Sequence, residues 1–147
     1  MDEDKLNRLP PDVKKQFLKL ALKLSEKKTK SKVHDDFLSF VKHVWPEFIE
    51  GPHHKKIAEK FNRLAKGEVK RLIINMPPRH TKSEFASFLL PSWMVGRKPN
   101  LKIIQTTHTT ELAIRFGRKA KTLMDSQEYK QVFSTRLRED SQAAGKW

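Results

Sequence analysis

The chain has 147 residues, enough for one domain, and its 31 Lys and Arg against 17 Asp and Glu give a net charge of +14. The absence of Cys excludes disulfides and thiolate metal sites, and the N-terminus lacks the basic and apolar regions of a signal peptide. No apolar run approaches the roughly 18 residues that span a bilayer. We therefore expect a soluble protein whose charge favours a polyanionic partner: nucleic acid, nucleotide phosphates or an acidic membrane surface, with the first two preferred.

Three helices are predicted in the first part of the chain. Apolar residues at helical spacing between lysines predict a basic amphipathic helix over residues 12–28, and the charged run 27–32 indicates a linker. A second helix is predicted over residues 35–45. A third begins near Pro52, and Gly67 suits the position that follows its last residue.

The pattern then changes to alternating strands and helices. Short apolar runs predict strands at 72–76 and 101–107, and helices are predicted at 83–90, where Pro91 bends or ends the helix, and at 110–125. This order implies a βαβα unit with a parallel sheet. The expected fold class is therefore α/β, with an all-helical N-terminal segment before the sheet. Two strands do not make a stable parallel sheet covered on both faces, so we expect a portion of a larger domain.

Residues 76–83, MPPRHTKS, carry the candidate chemistry. The P-loop pattern is Gly, four residues, then Gly-Lys-Ser/Thr, between a strand and a helix. Lys82 is placed to reach the β- and γ-phosphates, and the hydroxyl of Ser83 to bind Mg²⁺. Both glycines are replaced, by Met76 and Thr81, so the loop must keep its conformation by other means. A solvated lysine at a helix start is the alternative interpretation.

We expect Arg79, Lys82 and Ser83 to line one anion site at the N-terminus of the helix that starts near residue 82. This expectation makes two demands on the structure. Lys82 must lie at the helix start, and residues 71–76 must form a strand beside residues 102–106.

The segment RLIINMPPRHTKSEFAS closely resembles the phosphate loop of phage terminase large subunits, in which an Arg typically precedes the Lys by three residues, as Arg79 precedes Lys82. The likeness covers about residues 35–147, including LKIIQTTH, ELAIRFGRKAK and the closing DSQAAGKW. It implies the front part of the P-loop ATPase domain of a motor that packages viral DNA into the procapsid.

The resemblance also implies a nucleotide site that uses ATP and Mg²⁺. Lys82 and Arg79 are its catalytic cations and Ser83 its metal ligand. The residues expected to contact the nucleotide are Pro78, Arg79, His80, Thr81, Lys82, Ser83, Glu84 and His54. His54 stands where family members often have a Gln that contacts adenine. It either takes that role or packs against the apolar face of its helix. No zinc site is expected, because the six His form no HExxH motif.

By the same resemblance, the expected partners are double-stranded viral DNA, the portal and procapsid, the small terminase subunit and further copies in a ring, without a membrane. The expected location is the host cytoplasm. Residues 1–33 are expected to form the basic helix and linker, and residues 34–147 the N-terminal portion of the ATPase domain. That portion ends before the Walker B motif, and the nuclease domain is absent. Glu139 and Asp140 do not follow an apolar strand, so negligible hydrolysis is expected.

Two other functions stay open on the sequence alone. One is a helicase-like P-loop ATPase that acts on nucleic acid. The other is a basic adaptor without enzymatic activity, which binds DNA through residues 12–28. Arg115, Arg118 and Lys119 form either a solvated cationic face or a source of an arginine that acts on a neighbouring subunit.

Overall fold

The structure, a computed structural model, describes residues 10–137. Its helical elements are α1 (Pro11–Asp35), α2 (Phe37–Val44), α3 (Pro52–Lys66), α4 (Lys82–Glu84), a π-helical segment (Phe85–Leu89), α5 (Leu90–Arg97), α6 (Thr110–Asp125) and α7 (Gln127–Val132). The chain divides into two units between Ser31 and Lys32, so α1 begins in the first unit and ends in the second.

The predicted α/β fold is wrong for this part of the chain, because residues 10–137 contain no strand. The two apolar segments, 72–76 and 101–107, are neither helical nor paired. Leu72, Ile74 and Met76 pack half-buried against the helical core, whereas Ile73 is 86% exposed and Ile104 is 91% exposed. A parallel strand needs a hydrogen-bonded neighbour and cover on both faces. Apolar content alone does not supply either.

Helix α1 differs from its prediction in length. It continues through residues 27–32, where the sequence indicates a linker, and it ends at Asp35. Lysine has a good helix propensity, so a lysine-rich run does not break a helix. In the unit that ends at Ser31, the apolar side chains of Phe17, Leu20 and Leu24 are exposed. None of the described helices is both long and apolar enough to cross a membrane.

Helices α2 and α3 confirm the second and third predicted helices, and both have clear local caps. Asp36 precedes α2, and its carboxylate accepts hydrogen bonds from the Ser39 amide at 2.8 Å and the Asn62 side chain at 2.7 Å. Gly67 ends α3 in the left-handed region at φ 82°, as predicted. Asp36 therefore ties the start of α2 to α3.

Residues 82–97 form one helical run whose middle is a π-helical turn. The Leu90 amide bonds to the Phe85 carbonyl, five residues back, and Pro91 follows immediately. In a regular α-helix the Pro91 ring would collide with the carbonyl four residues earlier. The wider turn lets the helix continue past Pro91, where the sequence predicts a bend or an end.

An aromatic core holds the second unit together. Phe37 lies at its centre and makes edge-to-face contacts with Phe61, Phe85 and Trp93, with ring centroids 5.1, 5.4 and 5.5 Å apart. The Trp93 indole donates a hydrogen bond to the His34 carbonyl at 3.1 Å. These contacts join α2, α3, the π-helical segment and α5 around one buried ring.

Helix α6 has the predicted bounds, but α7 was not predicted. Tyr129 on α7 is buried, and its hydroxyl donates a hydrogen bond to the Ser92 carbonyl at 2.9 Å. Burial raises the pKa of this hydroxyl far above its usual value, so Tyr129 acts as a neutral donor. Gly96 on α5 permits the close approach of α7.

Candidate phosphate-binding loop

The loop before α4 has an unusual backbone. Arg79 and Thr81 lie in the left-handed region, with φ of 65° and 56°, and they are the only non-glycine residues in the described chain that do so. This conformation is a genuine outlier for a β-branched residue such as Thr81 and costs about 1–3 kcal/mol. A left-handed residue next to a right-handed one, as Thr81 is to helical Lys82, turns successive backbone N–H groups toward one side. This arrangement forms an anion-binding concavity called a nest.

The start of the helical run faces the same loop. The Phe85 amide bonds back to the Thr81 carbonyl at 2.9 Å, so the amides of residues 82–84 belong to the open first turn. The Lys82 ammonium donates to the Met76 carbonyl at 3.3 Å and so bridges the ends of the loop. Ser83 is exposed in this first turn. Backbone amides and a lysine cation therefore lie together around the loop.

His54 connects the loop to α3. The Gly51 amide donates to its Nδ1 at 2.8 Å, so Nδ1 must carry a lone pair and the proton of the neutral ring must lie on Nε2. Nε2 then donates to the Thr81 hydroxyl at 2.7 Å, and this hydroxyl donates to the His80 carbonyl at 2.7 Å. The result is an unbroken chain of hydrogen bonds from the start of α3 to the loop.

His54 is held firmly on its other sides. Its side chain is only 5% exposed, and its ring lies 4.7 Å from the Phe48 ring and 5.1 Å from the Phe85 ring. Burial lowers its pKa, and the nearby His53 and His80 lower it further, against an opposing effect of Glu50. His54 is therefore neutral at pH 7, as its hydrogen bonds require. It packs on the rings of Phe48 and Phe85 and contacts the loop through Thr81, and its expected contact with adenine stays a prediction.

The remaining residues of the predicted site are placed differently. Pro78, Arg79 and His80 are exposed, and the His80 ring bonds to the Pro78 carbonyl at 2.9 Å. Glu84 does not face an open site: both of its oxygens accept hydrogen bonds from Lys119 on α6, at 2.9 and 2.8 Å. Since a carboxylate repels phosphate, this ion pair reduces an unfavourable charge beside the loop.

Lys119 is therefore engaged within the chain, and it also lies 5.1 Å from the Phe88 ring centroid. Arg115 and Arg118 are exposed and, with Glu111, Ile114 and Lys119, line an open depression of about 700 Å³ on α6. Arg115 and Arg118 remain candidates for a residue that acts on a neighbouring subunit, because both are exposed. Lys119 is a poorer candidate, because it is paired with Glu84.

No group of three His, Asp or Glu side chains that could hold a metal ion occurs between residues 10 and 137. In the loop, the hydroxyl of Ser83 is the side chain predicted to reach Mg²⁺, whose other ligands would be phosphate oxygens and water. Glu139 and Asp140 lie outside the described residues, as do the closing DSQAAGKW and the polar N-terminus.

One of the two demands made by the sequence is met. Lys82 is the first residue of α4. The second fails, because residues 71–76 do not form a strand beside 102–106. The strand–loop–helix order therefore no longer supports the site, and its support comes from the loop backbone itself.

No protein-family model matches the chain, and neither curated proteins nor solved structures show a match.

The sequence did not reveal the contact between His54 and Thr81, although both residues stood out as departures from the terminase pattern. Their joint departure was the available signal. Nothing local in the sequence indicates the ion pair between Glu84 and Lys119, because it joins residues 35 positions apart.

Proposed function

We propose that the chain binds the phosphates of ATP at residues 77–83 and serves as the nucleotide-binding front part of a viral DNA-packaging motor of the terminase large-subunit type. The observation that carries the proposal is the loop backbone, with left-handed residues at 79 and 81 directly before Lys82. This supports phosphate binding because nests and open helix amides both attract anions.

Each chemical requirement of a triphosphate has a candidate in this loop. Backbone amides of residues 82–84 approach phosphate oxygens, Lys82 supplies a cation, Arg79 a second one, and Ser83 a hydroxyl for Mg²⁺. The ion pair of Glu84 with Lys119 leaves the positive charge of Lys82 and Arg79 dominant. The motor function, with viral DNA, portal, procapsid and small subunit as partners in the host cytoplasm, rests on the sequence resemblance alone.

The test is equilibrium binding of Mg-ATP to the whole chain and to Lys82→Ala. We expect the substitution to weaken binding roughly tenfold or more, because it removes a charge-assisted contact. The matched control is Lys66→Ala, which removes the same charge far from the loop. Lys66 is the last residue of α3 and lies about 18 Å along the helix from His54, the residue of α3 that contacts the loop. Equal, small losses in both variants would show only unspecific attraction to a basic protein.

A second candidate is a basic adaptor that binds DNA without nucleotide. The exposed lysines of α1 favour it, for example Lys15, Lys19 and Lys23. Such an adaptor would show salt-sensitive DNA binding, while ATP would fail to protect Lys82 from amine-reactive labelling. Protection of Lys82 by ATP, with little protection of the α1 lysines, favours the nucleotide-binding function.

A further inference from the structure

We infer that His54 is a positioning residue for the phosphate-binding loop, acting through Thr81, and that the two form a matched pair which replaces the conformational freedom of a glycine. The inference rests on the proposed function, because it assigns a role in the site that this function uses. It concerns residues that only the three-dimensional structure brings together, since they lie 27 positions apart.

The first step is the backbone of Thr81. Its φ of 56° and ψ of 9° are readily adopted by glycine, whereas a β-branched residue avoids them. A free loop would relax Thr81 toward negative φ, and that change would turn the amide of Lys82 and reshape the nest. Something outside the loop must therefore oppose the relaxation.

The second step is the hydroxyl of Thr81, which is fixed at both ends. It accepts from Nε2 of His54 and donates to the His80 carbonyl, both at 2.7 Å. A glycine at position 81 would need no such restraint and would offer none. The hydrogen bond from His54 accounts for a threonine in the left-handed region, because it holds the Thr81 hydroxyl in place. The same hydroxyl gives Nε2 of the buried His54 its acceptor.

The third step is the rigidity of His54 itself. Its ring is buried between Phe48 and Phe85, and its Nδ1 is held by the Gly51 amide at the start of α3. Because the ring is fixed by α3 and by the aromatic core, its hydrogen bond fixes the Thr81 hydroxyl relative to both. The ring of His53, tilted by 47° against that of His54 with the ring centroids 3.8 Å apart, adds another contact.

The experiment is a double-mutant cycle on the whole chain with His54→Ala, Thr81→Gly and the combined variant. Mg-ATP affinity is the functional readout. With threonine at position 81, His54→Ala should weaken binding about tenfold, the size expected for the loss of a partly buried hydrogen bond and its loop restraint. In the Thr81→Gly background the same substitution should change affinity less than about twofold, because glycine does not need the restraint.

A second readout does not depend on nucleotide. Denaturant unfolding of the same four proteins should show that His54→Ala changes the unfolding equilibrium constant several-fold more with threonine at position 81 than in the Thr81→Gly background. Loss of aromatic packing contributes equally in both backgrounds and cancels in this comparison.

Equal effects of His54→Ala in the two backgrounds, in both readouts, would overturn the inference and leave His54 as a core residue. If wild-type protein fails to bind ATP while the unfolding cycle shows coupling, the proposed function fails and the positioning of the loop stands. If ATP binds and coupling is absent, the function stands and the positioning role fails.

Discussion

We predict that Gly96→Ala destabilises the protein, although alanine is normally the more stabilising residue within a helix. Replacing glycine by alanine in a helix normally stabilises it by up to about 1 kcal/mol. Here a Cβ on Gly96 would lie 2.7 Å from the Tyr129 hydroxyl and 2.7 Å from Cγ of Phe133. Both rings are buried, and the hydrogen bond from Tyr129 to the Ser92 carbonyl holds one of them in place. Neither ring can move aside without cost.

The magnitude follows from two opposing contributions. Overpacking of a filled core costs typically about 1–3 kcal/mol, and the gain in helix propensity offsets part of it. We therefore expect Gly96→Ala to destabilise the protein by about 1–2 kcal/mol and to lower the urea midpoint by roughly 0.5–1 M. Circular dichroism at the helical band, recorded during urea unfolding, measures this shift.

A background substitution provides the control. Tyr129→Phe removes the hydroxyl that the new Cβ would meet, so Gly96→Ala should cost less in that background than in the wild type. A neutral or stabilising effect of Gly96→Ala in the wild type would show that α5 and α7 do not pack as closely as described. The aromatic core around Phe133 would then need revision.

Two further predictions concern the cap of α2 and the buried histidine. Asp36→Ala should destabilise the protein by about 2 kcal/mol, because the carboxylate that accepts from the Ser39 amide and from the Asn62 side chain is lost. Asp36→Asn should destabilise it less in the same urea unfolding measurement. For His54, the folded-state pKa lies below its ordinary value of 6.5, so the unfolded chain takes up the proton first as the pH falls. The stability that neutral His54 contributes should be complete above pH 6.5 and should decline below it. The difference in unfolding free energy between wild type and His54→Ala should therefore shrink in acid. A difference that grows below pH 6.5 would contradict a neutral His54 ring.

Local signals in the sequence predicted the helices well. Gly67 and the apolar periodicity of residues 110–125 act within a few residues, so the end of α3 and the bounds of α6 could be located from the sequence. Helix α7 is short and gave no periodic signal, and its stability comes from the burial of Tyr129 against α5.

The sheet could not be judged in the same way. The segments 72–76 and 101–107 have the apolar composition of buried strands, but pairing depends on partners far away in sequence. Without pairing, Ile73 and Ile104 remain exposed, and alternate residues of the first segment pack on helices instead.

The residues of the candidate site could be named from the sequence, but their backbone conformation and the contacts between them could not. The spacing of Arg79, Lys82 and Ser83 was visible in the sequence, as was the loss of a glycine at Thr81. The left-handed backbone and the hydrogen bond between His54 and Thr81 were not visible, because the sequence does not show which residues of α3 contact the loop.

The most direct test of phosphate binding by this loop is a titration of the whole ¹⁵N-labelled chain with inorganic tripolyphosphate, followed by the amide chemical shifts. The proposal predicts that the largest and first-saturating shifts occur at the amides of residues 79–84, the nest and the open first turn of α4. Shifts confined to the lysine-rich residues of α1, with the loop amides unchanged, would contradict it.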